Sequence, residues 1–166
     1  MTALFATPLD LKKNSVISGN LDDDKLNFVI KNSQIIHIQN YLGTDLYDEL
    51  QVKALAGTLS AVQELLIDDY ISDMLVWWSL TEFVSVGAYT ISNKGILKHT
   101  DETAETVSKA EIDALVLRYQ KTAEYFTERL VRFLCDNSTD YPEYNTNSGS
   151  DINPEKSSTY GGLFLD

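Results

Sequence analysis

Residues 60–95 read SAVQELLIDDYISDMLVWWSLTEFVSVGAYTISNKG. Ser60 stands three residues before Gln63, which is the spacing of a capping box at a helix start. Apolar residues then recur at helical spacing, at Leu65, Leu66, Ile71, Leu75, Trp78, Phe83 and Val86. The pattern predicts one helix from Ser60 to about Gly87, long enough that other helices must lie along it to cover its apolar stripe.

A short arm is predicted after this helix. Tyr89-Thr90-Ile91 and Ile96-Leu97 are β-prone runs, and Ser92-Asn93-Lys94-Gly95 between them contains residues that favour turns. We expect a small β-hairpin or an extended arm.

Two helices are predicted before the long one. Asp22, Asp23 and Asp24 suit a helix start, where unpaired amides favour negative charge. The inward stripe of this first helix is Leu26, Val29, Ile30, Ser33, His37 and Tyr41. Gly43 then ends the helix and Thr44 is predicted to cap the next one. That short helix spans about Asp45–Ala56, is closed by Gly57-Thr58, and is predicted to turn Leu46, Leu50 and Leu55 inward.

A second long helix follows a polar connection. Ser108 and Glu111 form another capping box, and the predicted helix runs from Lys109 to about Asp136. Its inward stripe is Ile112, Leu115, Tyr119, Ala123, Phe126, Leu130 and Phe133. We therefore predict an all-α fold: an antiparallel bundle of about four helices with two long central helices.

Both ends of the chain are predicted to be extended segments, and the N-terminal one is expected to pack on another part of the structure. We assign residues 1–21 to an N-terminal arm, 22–136 to the helical domain and 137–166 to an extended C-terminal tail. The tail begins with polar residues that cannot fold alone and ends with apolar ones, at Tyr160, Leu163, Phe164 and Leu165. Three alternatives stay open for this apolar end: docking on another chain, docking on its own chain, or no docking.

Composition excludes several classes of function. The chain has 25 acidic and 13 basic side chains and a net charge of −12, which argues against ordinary DNA binding, because such binding depends on Lys and Arg. Charged residues interrupt every apolar run before it could span a membrane, and we expect no signal peptide. The single cysteine, Cys135, is expected to be a buried small hydrophobic residue in a reducing compartment.

No catalytic or metal-binding pattern emerges. Asp68, Asp69 and Asp73 are better explained as the solvated face of a helix than as metal ligands. His37 and His99 lack a nucleophile and a carboxylate at suitable spacing. We therefore expect no cofactor, no metal site and no enzymatic activity.

Trp77 and Trp78 are adjacent and point about 100° apart on a helix. One is expected in the core. The other is a candidate contact with another helix or another chain, although coverage of both within one bundle is equally consistent with the sequence.

The chain resembles a known family over residues 22–136. The matching elements are the run Ile35–Leu50, IIHIQNYLGTDLYDEL, the Trp-containing long helix, the run Tyr89–Ile96, YTISNKGI, and the Tyr119–Cys135 helix. This order resembles the head-to-tail connector proteins of tailed bacteriophages, also called head completion or adaptor proteins. It is most similar to those of Bacteroidetes phages, including the ring proteins of crAss-like phages.

The resemblance implies a structural virion protein. About twelve copies would form a ring that joins portal to tail around the DNA channel, with the virion neck as its location and the host cytoplasm as its place of assembly. Implied partners are other copies, the portal protein, further neck or tail ring proteins and passing DNA that is not bound sequence-specifically, without a membrane. Our candidate subunit and partner contacts are Trp77, Trp78, Tyr89, Ile91, Asn93, Lys94, Gly95, Ile96, Tyr160, Leu163, Phe164 and Leu165.

Two other hypotheses compete with the connector. One is a non-viral cytosolic adaptor that binds a partner protein in a groove between the long helices. The other is an enzyme with a metal at Asp68, Asp69 and Asp73.

Overall fold

A computed structural model describes residues 2–15, 21–86, 89–92, 95–98 and 108–157, with only the backbone described for Val86 and for the residues of the two strands. The fold is all-α, as predicted. Its α-helices are α1 (Pro8–Lys13), α2 (Asp23–Ser33), α3 (Gln39–Leu42), α4 (Thr44–Ala56), α5 (Ala61–Leu66), α6 (Ser72–Val86) and α7 (Lys109–Asp136). A 3₁₀ helix spans Pro142–Asn145, and two strands, β1 (Tyr89–Ser92) and β2 (Gly95–Lys98), lie between α6 and α7.

Both predicted capping boxes are present. The Ser60 hydroxyl accepts from the Gln63 amide at the start of α5, and the Ser108 hydroxyl accepts from the Glu111 amide at the start of α7. Asp22 caps α2 by accepting from the Asp24 amide. The prediction that Thr44 caps α4 is wrong: Gly43 is the cap residue, and the Thr44 hydroxyl bonds to a distant segment.

The predicted long helix contains one irregular turn. A π-helical turn at Ile67–Ile71 joins α5 to α6, and a second one at Gln34–Ile38 joins α2 to α3. A π turn inserts one extra residue and rotates the helix face that follows it. The six residues predicted to line the inner face of the first helix, Leu26 to Tyr41, are nevertheless all buried.

The prediction of an inward position is wrong for three residues. Leu65 is exposed because the inward residues of α5 are Gln63 and Leu66. Leu55 lies in the last turn of α4, where it is also exposed. Leu115 is exposed in the first turns of α7, where no residue between 109 and 118 is buried.

The two strands pair antiparallel, with Tyr89 opposite Lys98 and Ser92 opposite Gly95. Residues 93 and 94, which join them, lie outside the described residues. The strands connect the central pair of helices, α6 and α7, which pack along each other as predicted.

Both terminal segments join the helical core. Phe5 and Leu11 from the N-terminal segment belong to the core cluster, as do Tyr141 and Tyr144 from the segment after α7. We placed the end of the helical domain at Asp136, but the described residues 137–157 pack on the helices. Aromatic residues in an otherwise polar segment supply the apolar area that our composition argument neglected.

Candidate interaction surfaces

Trp78 is the core member of the tryptophan pair. Its indole N–H donates to the Thr127 hydroxyl of α7 at 3.0 Å, and its ring stacks on that of His37 with centroids 3.9 Å apart. His37 Nε2 lies 3.1 Å from a carboxylate oxygen of Glu82. Burial lowers the pKa of His37, and the neighbouring Glu82 carboxylate partly opposes that shift. This cluster therefore joins the first helix to both central helices through a stacked imidazole.

Trp77 contacts another helix of the same chain. Its ring lies edge-on to Tyr119, with centroids 5.7 Å apart, and parallel to Phe126 at 6.5 Å. Both partners belong to α7. The tryptophan pair thus joins α6 to α7 on two sides, which makes the central pair a stiff unit.

The corner between α3 and α4 is bonded to a segment that follows α7. We call residues 142–157, which cross it, the strap. The Thr44 amide donates to the Ile152 carbonyl at 3.0 Å, and the Glu155 amide donates to the Asn40 carbonyl at the same distance. The strap is therefore held by backbone bonds on both sides of Gly43.

Gly43 is required at this corner for two reasons. Its φ is 75° with ψ 162°, a combination that side-chain-bearing residues rarely adopt. A Cβ at this position would also lie 2.7 Å from ring carbons of Pro154 in the strap. Residues 42–47 form a Leu-Gly-x-x-Leu-Tyr element within the run Ile35–Leu50 quoted above. This element is thus a docking corner, with Leu42 and Leu46 buried beneath it.

The same element holds the N-terminal segment. The Tyr47 ring lies edge-on to Phe5 at 5.9 Å, and the Tyr47 hydroxyl accepts from the Gln34 side chain. The side-chain oxygen of Gln34 also accepts a hydrogen bond from the Phe5 amide at 2.8 Å. Residues 43–47 therefore organise both ends of the described chain.

The carboxylate of Asp45 holds the strap through hydrogen bonds. Its carboxylate accepts from the Thr146 hydroxyl at 2.6 Å and from the Ser148 amide and hydroxyl at 2.8 and 3.0 Å. The Thr146 and Ser148 hydrogen bonds lower the pKa of Asp45, because they favour its ionised form.

Asp73, one of the three aspartates considered as metal ligands, faces Arg129 of α7 at 3.3 Å. Burial raises the pKa of Asp73, and Arg129 opposes the shift. No group of three His, Cys, Asp or Glu residues within the described ranges is arranged to hold a metal ion. Arg129 also lies over the Tyr70 ring, at the edge of a shallow groove of about 430 Å³.

Exposed apolar residues mark two further surfaces. On α2 and the π turn after it, Phe28, Ile35 and Ile36 are 65%, 45% and 59% exposed. Sequence reasoning missed them as surface candidates, although their absence from the inward stripe was a usable signal. At the start of α7, Leu115 and Leu117 are exposed, with Ile112 and Val116 half-buried.

Of the predicted contact residues outside the tryptophan pair, the described structure brings Ile91 of β1 opposite Ile96 of β2. Tyr89 and Ile91 lie on β1, and Gly95 and Ile96 lie on β2, with their backbones alone described. Six others lie outside the described residues: Asn93, Lys94, Tyr160, Leu163, Phe164 and Leu165.

The expectation that Cys135 is buried is wrong. It is exposed, because it lies on α7 away from the face that Leu134 turns to the core. Its sulfur is 3.9 Å from the Tyr144 hydroxyl.

Among the residues that the structure describes, no helix combines the length and apolar character needed to cross a membrane.

A family model described as a family of unknown function, DUF6712, matches residues 38–154. The match begins in the π turn before α3 and ends in the strap, so it spans both sides of the docking corner. Neither the curated proteins nor the solved structures include a significant match to this chain.

Proposed function

The chain belongs to DUF6712, a family of unknown function, and we propose that it is a structural virion protein, a subunit of the ring that joins the portal of a tailed bacteriophage to its tail. About twelve copies would surround the DNA channel in this role. Its partners are other copies, the portal protein and further neck or tail ring proteins. DNA passes through the ring without being bound sequence-specifically, and the protein carries out no reaction.

The order of elements carries this proposal. The first helix, the short α4, the long α5–α6 unit, the two strands and the long α7 follow one another in the order over which the sequence resembles connector proteins. The Leu-Gly-x-x-Leu-Tyr element is one of the two more specific parts of that resemblance, the other being the Ser-Asn-Lys-Gly turn at residues 92–95. This element forms the corner on which both terminal segments pack.

A ring also requires rigid subunits with two different contact surfaces, because each subunit meets its neighbours head to tail. The Trp77 ring contact with Phe126 and the Trp78 hydrogen bond to Thr127 hold α6 against α7. The start of α7, with Leu115 and Leu117 exposed, offers one apolar surface. Exposed apolar residues of this kind mark sites of protein contact when they lie together.

The charge of the chain agrees with a channel that DNA must pass. A net charge of −12 repels phosphates, so DNA moves without being retained. Exposed carboxylates are present at the start of α2, in Asp22, Asp23 and Asp24, and in the π turn before α6, in Asp68 and Asp69.

Immunogold labelling of phage particles tests the role directly. With antibody raised against the whole protein, we expect gold at the single vertex where head meets tail. Label that is absent from particles but abundant in the cell lysate would contradict the proposal and favour a cytosolic adaptor. Denatured particles probed with the same antibody control for access.

A surface variant tests how the subunit is incorporated. Leu117→Asp should reduce incorporation into particles, because it places a charge on the apolar start of α7, while leaving the circular dichroism spectrum unchanged. Asp113→Asn, an exposed change in the same turns, is the matched control and should leave incorporation intact. Equal incorporation of both variants would exclude this surface as a subunit contact.

A further inference from the structure

The exposed apolar residues Phe28, Ile35 and Ile36, which we call the α2 stripe, lie close to the point where the described chain ends. Seven residues, or two helical turns, separate Phe28 from Ile35, so the three side chains follow one side of the helix. Phe28 and Ile36 are among the most exposed large apolar residues described, and Ile35 is also exposed.

The strap ends near the α2 stripe. Within the described residues, its last backbone bond runs from the Glu155 amide to the Asn40 carbonyl. Asn40 lies one turn after Ile36, about 6 Å along the axis. Residues 158–166 follow, outside the described residues. Nine residues span up to about 30 Å, whereas Phe28 lies about 18 Å along the axis from Asn40. The segment is therefore long enough to cover the whole stripe.

Its composition fits the stripe and not the other exposed apolar surface near the strap. Residues 160–165 read YGGLFL and are followed by Asp166. Lys25 and Lys31 are exposed within one turn of Phe28, against the single exposed carboxylate of Asp24, so the local charge there is positive and favours Asp166. Val52, which is also exposed, lies in a groove with Asp45, Asp48, Glu49 and Glu143, where Asp166 would be repelled.

We propose that residues 160–165 dock on the α2 stripe of their own chain, with Leu163, Phe164 and Leu165 covering Phe28, Ile35 and Ile36. This inference is independent of the proposed ring role, since it concerns how the chain covers its own surface. It assigns the apolar C-terminal segment to one of the alternatives that the sequence left open.

Cysteine trapping tests the contact and its occupant together. In a Cys135→Ser background, Ile36→Cys is combined in turn with Leu163→Cys, Phe164→Cys or Leu165→Cys and oxidised mildly. We expect at least one pair to form an intramolecular disulfide about tenfold more readily than the matched Val52→Cys pair, because docking raises the local concentration of the thiols. Equal yields at positions 36 and 52, or a disulfide-linked dimer through position 36, would overturn the proposal.

A second measurement does not depend on the alignment of the two segments. A solvent-sensitive dye attached at Leu163→Cys in the same background should emit at shorter wavelength than the free dye. Phe28→Ser combined with Ile36→Ser should abolish that blue shift, and Val52→Ser should retain it. An emission that is identical in all three proteins would contradict docking. The substitutions fall on exposed side chains, so the fold is retained.

Discussion

The two halves of α7 have the same apolar spacing but different surroundings. Between residues 123 and 134, the side chains of Ala123, Thr127, Leu130, Val131 and Leu134 are buried against the bundle. Between 109 and 118, the same spacing continues through Ile112 and Leu115, yet no residue there is buried. Apolar periodicity therefore identifies the face of a helix that is to be covered, but it does not identify what covers it.

Truncating one leucine in each half should give the largest contrast. Leu130→Ala removes a fully buried side chain and should lower the free energy of unfolding by about 2–5 kcal/mol, since it leaves a cavity. Leu117→Ala, at a site 53% exposed, should change it by less than about 0.5 kcal/mol. Urea unfolding measures both. A cost at Leu117 that matches the cost at Leu130 would show that the first turns of α7 are covered in solution.

The docking corner should come next in size. Gly43→Ala forces an alanine into a glycine-favoring backbone conformation and brings its Cβ against Pro154, so we expect a loss of about 1–3 kcal/mol in unfolding free energy. Gly57→Ala is the matched control. Gly57 also has a positive φ, of 65°, but a Cβ there meets no atom within 4 Å, and about 1 kcal/mol is expected. If Pro154→Ala fails to relieve any of the Gly43→Ala cost, contact with the strap is not its cause.

The buried His37 should make the stability of the bundle depend on pH. Its pKa is lowered in the fold, chiefly by burial, so below about pH 6.5 the unfolded chain binds a proton that the folded chain resists. Above that pH, His37 is unprotonated in both states and does not lower the free energy of unfolding. The free energy of unfolding falls as the pH drops towards the folded pKa, with a slope of at most about 1.4 kcal/mol per pH unit for one proton.

Urea unfolding between about pH 7.5 and 5.5 measures this slope, before most carboxylates titrate. His37→Gln should remove the dependence, and Glu82→Gln should steepen it because Glu82 is what raises the His37 pKa. Stability that increases on acidification would mean that the pair with Glu82 outweighs burial.

The smallest effect is expected at the strap. Asp45→Asn weakens the carboxylate hydrogen bonds to Thr146 and Ser148, so the Ser148 amide should exchange its hydrogen faster. The pKa of Asp45 is lower in the folded protein than in the unfolded chain. The stabilisation from these hydrogen bonds is therefore fully present at pH values above the pKa of the unfolded chain. It is lost as the pH falls through the pKa of the folded protein. Asp48→Asn, at an exposed site on the same helix, is the control. Unchanged protection of Ser148 in Asp45→Asn would rule out this anchor.

Local features of the fold were predictable from the sequence. Ser60 with Gln63, and Ser108 with Glu111, cap their helices within one turn, so each pair of residues contains the whole interaction. The inward stripe of the first helix was also correct, because side chains three and four apart share a face whatever packs on it.

Long-range features were not predictable. Tyr141 donates to the Val62 carbonyl across 79 residues of sequence, and no local pattern indicates such a partner. The π turn at Ile67–Ile71 rotates the helix after Leu66, which a uniform period of 3.6 residues does not anticipate. Of the candidate surfaces, the tryptophan pair was recognised and its partners, His37 and Phe126, were not.

The strap also determines when the fold can be completed during synthesis. Its hydrogen bonds to Thr44 and Asp45 join residues 101 to 108 positions apart. At about 5–20 residues per second, the corner at Gly43 leaves the ribosome roughly 5–20 seconds before the segment that covers it. Helices α2 to α6 can pair in that interval, since their contacts are closer in sequence. The nascent protein therefore carries an open corner until the strap has been synthesised, and closure of this corner is among the last steps of folding.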